Sequence, residues 1–407
     1  MALEPLMNRE RASAVCEEAG ISALLLAEPL NIYHATGFWP QTLAMGQLGT
    51  TLAVVPADPA LPVQLVTSQF LHYFMDVTRC GVSPDLRFTL YTMPGESGEA
   101  LPPHFFQPAS SGTIDPFERS ARAATAAALA AQPALATVAD ALAHAAAGIG
   151  PGVIAVDGFV ARSLLSDPDC CVAAEPVLRL IRMIKSPAEI AIMRHAARQN
   201  AEAARKAVSL VKEGDHYHDL RAAFFAEVGR RGGIPSFMSI DSHAYAAQDG
   251  TIRSGRCFSI DAVSTFDRYH GDYGRTVVVG EPHPALRHAA EAAIAGNRAV
   301  AERLGPGLRY SDVMRIGREA IAAAGFDVLT PASPHSVGLF HTDEAFAGNA
   351  LTFAKADHLI EPGMVLSVDM PILQTDMSGT VHLEDLWLIT EDGCEPLNDI
   401  DEPYIQL

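Results

Sequence analysis

Three segments of this 407-residue chain read as hydrophobic strands, yet each carries an acid near its middle. They are FSIDAV around Asp261, LSVDMP around Asp369 and VHLEDLWLI around Glu384. Side chains alternate along a strand, so Phe258 and Ile260 take one face while Ser259 and Asp261 take the other. By the same alternation, Leu366, Val368 and Met370 lie opposite Ser367 and Asp369, and His382, Glu384 and Leu386 share a face. A carboxylate placed among apolar strands loses hydration that only a neutralising partner restores. Any fold of this chain must therefore supply that partner.

Two further segments add to the set. In SGRCFSIDAVSTFDRYHGDYGRTVVVG, Cys257–Ala262 and Thr276–Val279 read as paired strands joined by a polar turn region containing Arg268 and Gly271. Asp272 follows Asp261 by eleven residues and can meet it across that turn. In SPHSVGLFHTDEAF, His335 and His341 flank a glycine-containing turn. Four carboxylates (Asp261, Asp272, Asp369, Glu384) and the His335 imidazole form a hard, oxygen-rich donor set, suited to a pair of divalent ions such as Mn, Co, Fe or Zn. The six cysteines show no CxxC spacing and read as reduced structural thiols.

Composition narrows the class. A formal net charge of −19, with no run of Lys and Arg, argues against nucleic acid or anionic lipid as a partner. The Ala-rich stretch from Ala121 to Gly150 is broken by Arg122, Gln132, Pro133, Asp140 and His144, so it reads as a helical segment of a globular domain and not a membrane span. The amino terminus, MALEPLMNRERASAV, lacks the apolar core of a secretory signal, which points to a soluble cytoplasmic protein.

The length predicts two domains. Residues 1–176 alternate helical stretches with the apolar runs ISALLLAEP, TLAVVPAD, PVQLVTSQF and GVIAVDGF, the pattern of an α/β domain with a mixed sheet. Residues 177–407 form the second domain, whose first long helix is announced by Ser186 as N-cap, Pro187 in the first turn and Glu189 closing a capping box. A faint internal echo follows. Helix, glycine break and Tyr-x-Asp recur at Tyr217–Asp219 and Tyr310–Asp312, each time ahead of acid-bearing strands. Two such halves about a pseudo-twofold axis would bring the carboxylates together at the centre.

These blocks resemble the signatures of the pita-bread metallopeptidases, the family of methionine aminopeptidase, aminopeptidase P, prolidase and creatinase. The family's first Asp matches Asp261 in SIDAVSTF and its second Asp272 in GDYGRT. Its His-x-x-Gly histidine matches His335, and its two Glu ligands match Asp369 and Glu384. NIYHATGF, at Asn31–Phe38, resembles the creatinase-type amino-terminal domain. The resemblance implies an α+β pita-bread fold for residues 177–407 and a homodimeric hydrolase acting on a short peptide or small molecule. It further implies water activated between two metals shared by Asp272 and Glu384, with Asp261 on one metal and His335 and Asp369 on the other. Asp369 would pass a proton to the leaving nitrogen. His341 would meet the substrate or the developing oxyanion, and His243 and His382 would line the substrate site.

The chain departs from the family pattern at five places, one of them the segment between Asp369 and Glu384, which is short for a prolidase. Asp369 stands where Glu is usual, His382 where aminopeptidase P and prolidase usually carry Arg, and Gly274 where Thr is usual. His335 and His341 are also one residue closer than in His-Gly-x-Gly-x-x-x-His. The shorter Asp369 bears on metal position and proton transfer, and the set as a whole bears on proline specificity more than on metal binding. The expectation is a peptidase of the Xaa-Pro type, the alternative a relative acting on a small amide, amidine or C–S compound. The intact ligand set argues against a non-catalytic binding module.

Overall fold

The computed structural model describes residues 6–74, 86–92, 115–165, 167–241, 250–281, 283–326, 334–372, 379–398 and 404–407. They gather into two compact units, Met1–Ile181 with Ser186–Ala188, and Arg182–Lys185 with Glu189–Leu407.

The amino-terminal unit is built on six strands: β1 (Ile21–Leu26), β2 (Thr51–Pro56), β3 (Val63–Ser68), β4 (Leu86–Tyr91), β5 (Val153–Val156) and β6 (Cys171–Ala173). They lie in the order β4-β3-β2-β1-β5-β6. The β1/β2 and β2/β3 pairs are antiparallel, while β3/β4, β1/β5 and β5/β6 are parallel, so the sheet is mixed. The central strands β1, β2 and β3 are largely buried and mostly apolar because both faces of the sheet are covered there. Leu24, Leu26, Ala53, Val55 and Leu65 enter one core, and their neighbours Leu25, Leu52, Val54 and Val66 enter the other. The Ala-rich stretch folds as two helices, Pro116–Ala131 and Val138–Ala146, because Pro133 cannot continue the first.

In the carboxy-terminal unit the strands are β7 (Ile234–Ile240), β8 (Cys257–Phe266), β9 (Tyr269–Val278), β10 (Pro334–Ser336), β11 (Val365–Asp369), β12 (Glu384–Ile389), β13 (Cys394–Pro396) and β14 (Tyr404–Gln406). The main path runs β10-β11-β12-β9-β8-β7, with β13 on β12 and β14 on β9. Helices Pro187–Val208 and Tyr217–Arg230 precede β7–β9, and helices Pro284–Ala301 and Tyr310–Ala323 precede β10–β12. The helix-helix-strand order is thus traversed twice, and β9 of the first half pairs with β12 of the second. Both Tyr-x-Asp sequences cap their helices, the His216 amide donating to Asp219 at 3.1 Å and the Arg309 amide to Asp312 at 3.0 Å. Phe258, Ile260, Ala262, Tyr273 and Val277 pack on Ala196, Ala204, Leu220 and Phe224, which commits one sheet face to the core and leaves the other for the acids.

The β8–β9 hairpin corrects the sequence reading. Its turn is only Asp267 and Arg268, with φ of 47° and 72°, the two left-handed residues of a type I′ turn. Gly271 sits inside β9 opposite Ser264. A Cβ at Gly271 would come 2.6 Å from the Ala196 carbonyl oxygen, so this glycine admits the backbone of helix Pro187–Val208 and makes no turn.

Candidate metal centre

Strand register assembles the site. Gly274 of β9 is in register with Asp261 of β8 on one side and Glu384 of β12 on the other, and Glu384 is in register with Asp369 of β11. One row across four strands therefore reads Asp261, Gly274, Glu384, Asp369, all on the face away from the Phe258/Ile260 core. Asp272, two residues before Gly274 and opposite Val263, joins the same face on the diagonal. His335 enters from β10, in register with Ser367.

These residues come within ligand distance of one another. Donor atoms of Asp261, Asp272 and Glu384 lie within 4.8 Å of one another, as do those of His335, Asp369 and Glu384, and those of Asp272, His335 and His341. His335 Nε2 stands 3.7 Å from Asp272 Oδ2, 3.8 Å from Glu384 Oε1 and 4.0 Å from Asp369 Oδ2. His341 Nε2 is 3.0 Å from Asp272 Oδ2, and its ring centroid is 5.8 Å from that of Phe237. The centre is graded in depth: Asp272 and Glu384 are buried, whereas the side chains of Asp369 and His341 keep 27% and 36% exposure and mark the open side. His243 falls outside the described residues.

The electrostatics are those of crowded acids. Burial, and then the Asp272 charge, pushes Asp261 up to about 7. Burial likewise lifts Glu384 well above the carboxylate range, reinforced by Asp272, Asp369 and Asp261. Burial pushes Asp272 upward too, but His341 and His335 outweigh it, so this carboxylate is held below its ordinary value. His341 shows the converse: burial lowers its affinity for a proton, and the carboxylate of Asp272 reverses this, to about 9. Such a cluster needs positive charge between its members. Asp261 Oδ1 and Asp272 Oδ1 are buried without a hydrogen-bond partner among the described residues, which a cation would satisfy. The donor set and these orphaned oxygens fit two hard divalent ions.

Several supporting groups were not singled out in the sequence. Ser367 Oγ donates to Glu384 Oε1 at 2.7 Å, and Ser239 Oγ to Asp261 Oδ2 at 3.3 Å. Strand alternation placed Ser367 on the face of Asp369, so that one was within reach. Arg275 joins two strands of the site. Fully buried, it donates to the carbonyls of Gly274 and Glu384 at 2.8 and 2.9 Å and to Asp385 at 2.8 Å, locking β9 to β12. Asp343 and Glu344, which follow His341 in a polar run, are buried. Arg182 donates to Asp343 at 2.8 Å, Lys185 donates to Ser336 at 2.9 Å, and Glu344 accepts from the Ser336 amide at 2.9 Å and from Lys355 at 2.8 Å. These bonds brace the segment that carries His335 and His341. His382, expected to meet substrate, is buried and has its Nε2 2.9 Å from Asp369 Oδ1.

Residues 191–391 match the model of Metallopeptidase family M24. A Xaa-Pro dipeptidase of Pyrococcus furiosus is 27% identical over 233 residues, 55% of this chain and 65% of the relative. A methionine aminopeptidase of Aquifex aeolicus is 26% identical over 230 residues, 51% of this chain and 89% of that protein. The matched stretch thus spans just under two thirds of the Xaa-Pro dipeptidase's own length. The prolidase of Pyrococcus horikoshii superposes with a TM-score of 0.66 at 18% identity, covering 98% of this chain and 99% of that one. Dipeptidase PepE of Mycobacterium ulcerans gives 0.67 at 19% identity, covering 98% and 96%. The fold is shared over nearly the whole length, and the acids and histidine stand inside the segment, residues 191–391, that matches Metallopeptidase family M24.

Proposed function

We propose that this protein is a metal-dependent hydrolase that cleaves a C–N bond in a short peptide. Asp261, Asp272, His335, Asp369 and Glu384 would hold two divalent ions drawn from Mn, Co, Fe and Zn. Asp272 and Glu384 would be shared, Asp261 would serve one ion, and His335 and Asp369 the other. Ions bound there lower the pKa of water and polarise a carbonyl oxygen. The observation that carries the reading is the row Asp261–Gly274–Glu384–Asp369, with Asp272 and His335 converging on it.

Asp369, on the open side, would carry a proton to the leaving nitrogen. His341, partly exposed and 3.0 Å from Asp272, would donate to a substrate carbonyl or the oxyanion formed from it. His243 is retained as a substrate contact on the resemblance alone.

Preference for a Xaa-Pro bond is the finer proposal, supported by relatives that bear that name. The departures at Asp369, His382 and Gly274 favour a second reading, a small non-peptide amide or amidine. A cytoplasmic homodimer is proposed on the resemblance; among the described residues no helix is long and apolar enough to cross a membrane. The test is metal analysis of gently purified protein, followed by hydrolysis of a dipeptide panel with and without Mn. Two ions per chain with chelator-sensitive dipeptide cleavage is the expected result. Metal without cleavage transfers the assignment to the non-peptide reading, and absence of metal overturns both.

A further inference from the structure

Two of the departures from the family pattern meet in space. Gly274 lies between Asp261 and Glu384 in the strand register, on the site face. A Cβ built there would come 2.7 Å from Cε1 and 2.9 Å from Nδ1 of His382, and 2.7 Å from Cβ of Glu384. No other residue type fits while the His382 ring stands where it does. The ring's backbone is also fixed: the His382 amide donates to Thr276 Oγ1 at 3.0 Å, and that hydroxyl donates to the His382 carbonyl at 3.1 Å. From this clamped position Nε2 reaches Asp369 Oδ1 at 2.9 Å, with Glu384 Oε2 a further contact at 3.5 Å.

Resting on the metal-site reading above, we infer that Gly274 and His382 work as a pair: the missing side chain opens a slot, and the His382 ring standing in it positions Asp369 at the metal centre. The need follows from Asp369 itself. An aspartate is one methylene shorter than a glutamate, so from the same strand position its carboxylate reaches less far and is less easily redirected by its own rotamers. A hydrogen bond to one oxygen fixes the plane of the group and leaves the other, Oδ2, facing His335. Outer partners of this kind orient ligands, and their loss typically weakens metal binding by roughly 10 to 100-fold. His382 is on this account a positioning residue and not a catalytic one.

The experiment is calorimetric titration of metal-free full-length protein with Mn²⁺ alone. Wild type should take up two ions per chain. His382→Ala should bind one ion about 10 to 100-fold more weakly with the other little changed, and His382→Gln, which keeps an N–H donor, should recover much of the loss. Gly274→Ala should weaken the same ion, and by less when combined with His382→Ala, because one of the two clashes is then relieved. Far-UV circular dichroism of each metal-free variant separates a misfolded protein from a weakened site; if His382→Ala does not fold, the Gln and Gly274→Ala variants carry the comparison. Failure of wild type to bind Mn²⁺ overturns the metal-site reading. Binding of two ions by wild type together with wild-type affinity in His382→Ala, or equal losses in the Ala and Gln variants, overturns this inference alone.

Discussion

Asp261 and Glu384 stand on opposite sides of Gly274, each in register with it, so the two acids approach over a position that has no side chain. With Asp272 two residues along the same strand face, three carboxylates share one buried patch. Without a cation that arrangement is a liability, and with one it is a binding site.

Glu384→Gln separates these two conditions. Metal-free protein carrying it should melt higher than metal-free wild type, because a buried acid among like charges has been removed. Added Mn²⁺ should raise the wild-type stability by about 2.7 kcal/mol at a hundredfold excess over Kd, and the variant much less. Its hydrolytic rate should fall by more than the roughly 10 to 100-fold expected for losing an outer partner. Thermal melts with and without chelator check the first two statements and initial rates the third.

Arg275 and Asp385, both fully buried and 2.8 Å apart, tie β9 to β12 directly behind the acids. Arg275→Met leaves Asp385 without its cation, and Asn297 at 3.4 Å cannot replace it, so a loss of about 3–5 kcal/mol is expected. The double variant Arg275→Met, Asp385→Leu should recover a large part of that. Urea denaturation of the singles and the double closes the cycle.

Gly271→Ala tests the helix approach. Its methyl would meet the Ala196 carbonyl oxygen and Asn200 Cβ, both 2.6 Å from where it would be built, and the helix or the strand must give way. A cost of about 1–3 kcal/mol is expected, with a fall in metal affinity because Asp272 is the next residue. Chemical denaturation and a Mn²⁺ titration measure the two effects.

His72 predicts an acid-sensitive amino-terminal unit. Burial lowers its imidazole from 6.5 to about 4; Thr125 Oγ1 lies 2.8 Å from its Nδ1. Between those values the unfolded chain binds a proton that the folded one refuses, so stability falls as pH drops from 6.5 toward 4 and is unaffected above 6.5. The shift corresponds to about 3 kcal/mol at the acid end. Hydrogen exchange of β3 amides at pH 7 and pH 4.5 should show a larger loss of protection in wild type than in His72→Gln.

Strand alternation was enough to place Asp261, Asp369 and Glu384 on one side of their strands, because the period of two is a local property. It did not reveal that Gly274 is the hub of the row, since the pairing of β9 with β12 joins residues more than a hundred positions apart. Gly271 was misplaced into a turn for the opposite reason: glycine signals both a turn and a close backbone approach, and only the neighbouring helix decides which. Asp343 and Glu344 look solvated in a run of polar residues; their burial goes with Arg182 on Asp343 and Lys355 on Glu344, neither of them adjacent in sequence. The carboxy-terminal architecture was legible chiefly through the family resemblance of the acid-bearing blocks, and the repeated capping aspartates, Asp219 and Asp312, gave only a faint echo of it.

The two-residue turn at Asp267 and Arg268 also sets an order of assembly. It brings Asp261 and Asp272 together within a short hairpin, a contact that closes early because little chain must be ordered. His335, Asp369 and Glu384 arrive only when the second half of the unit docks β12 onto β9. During synthesis the first pair of acids is therefore in place well before its remaining partners have been made, and a tight grip on metal comes last, as the seal on a finished domain.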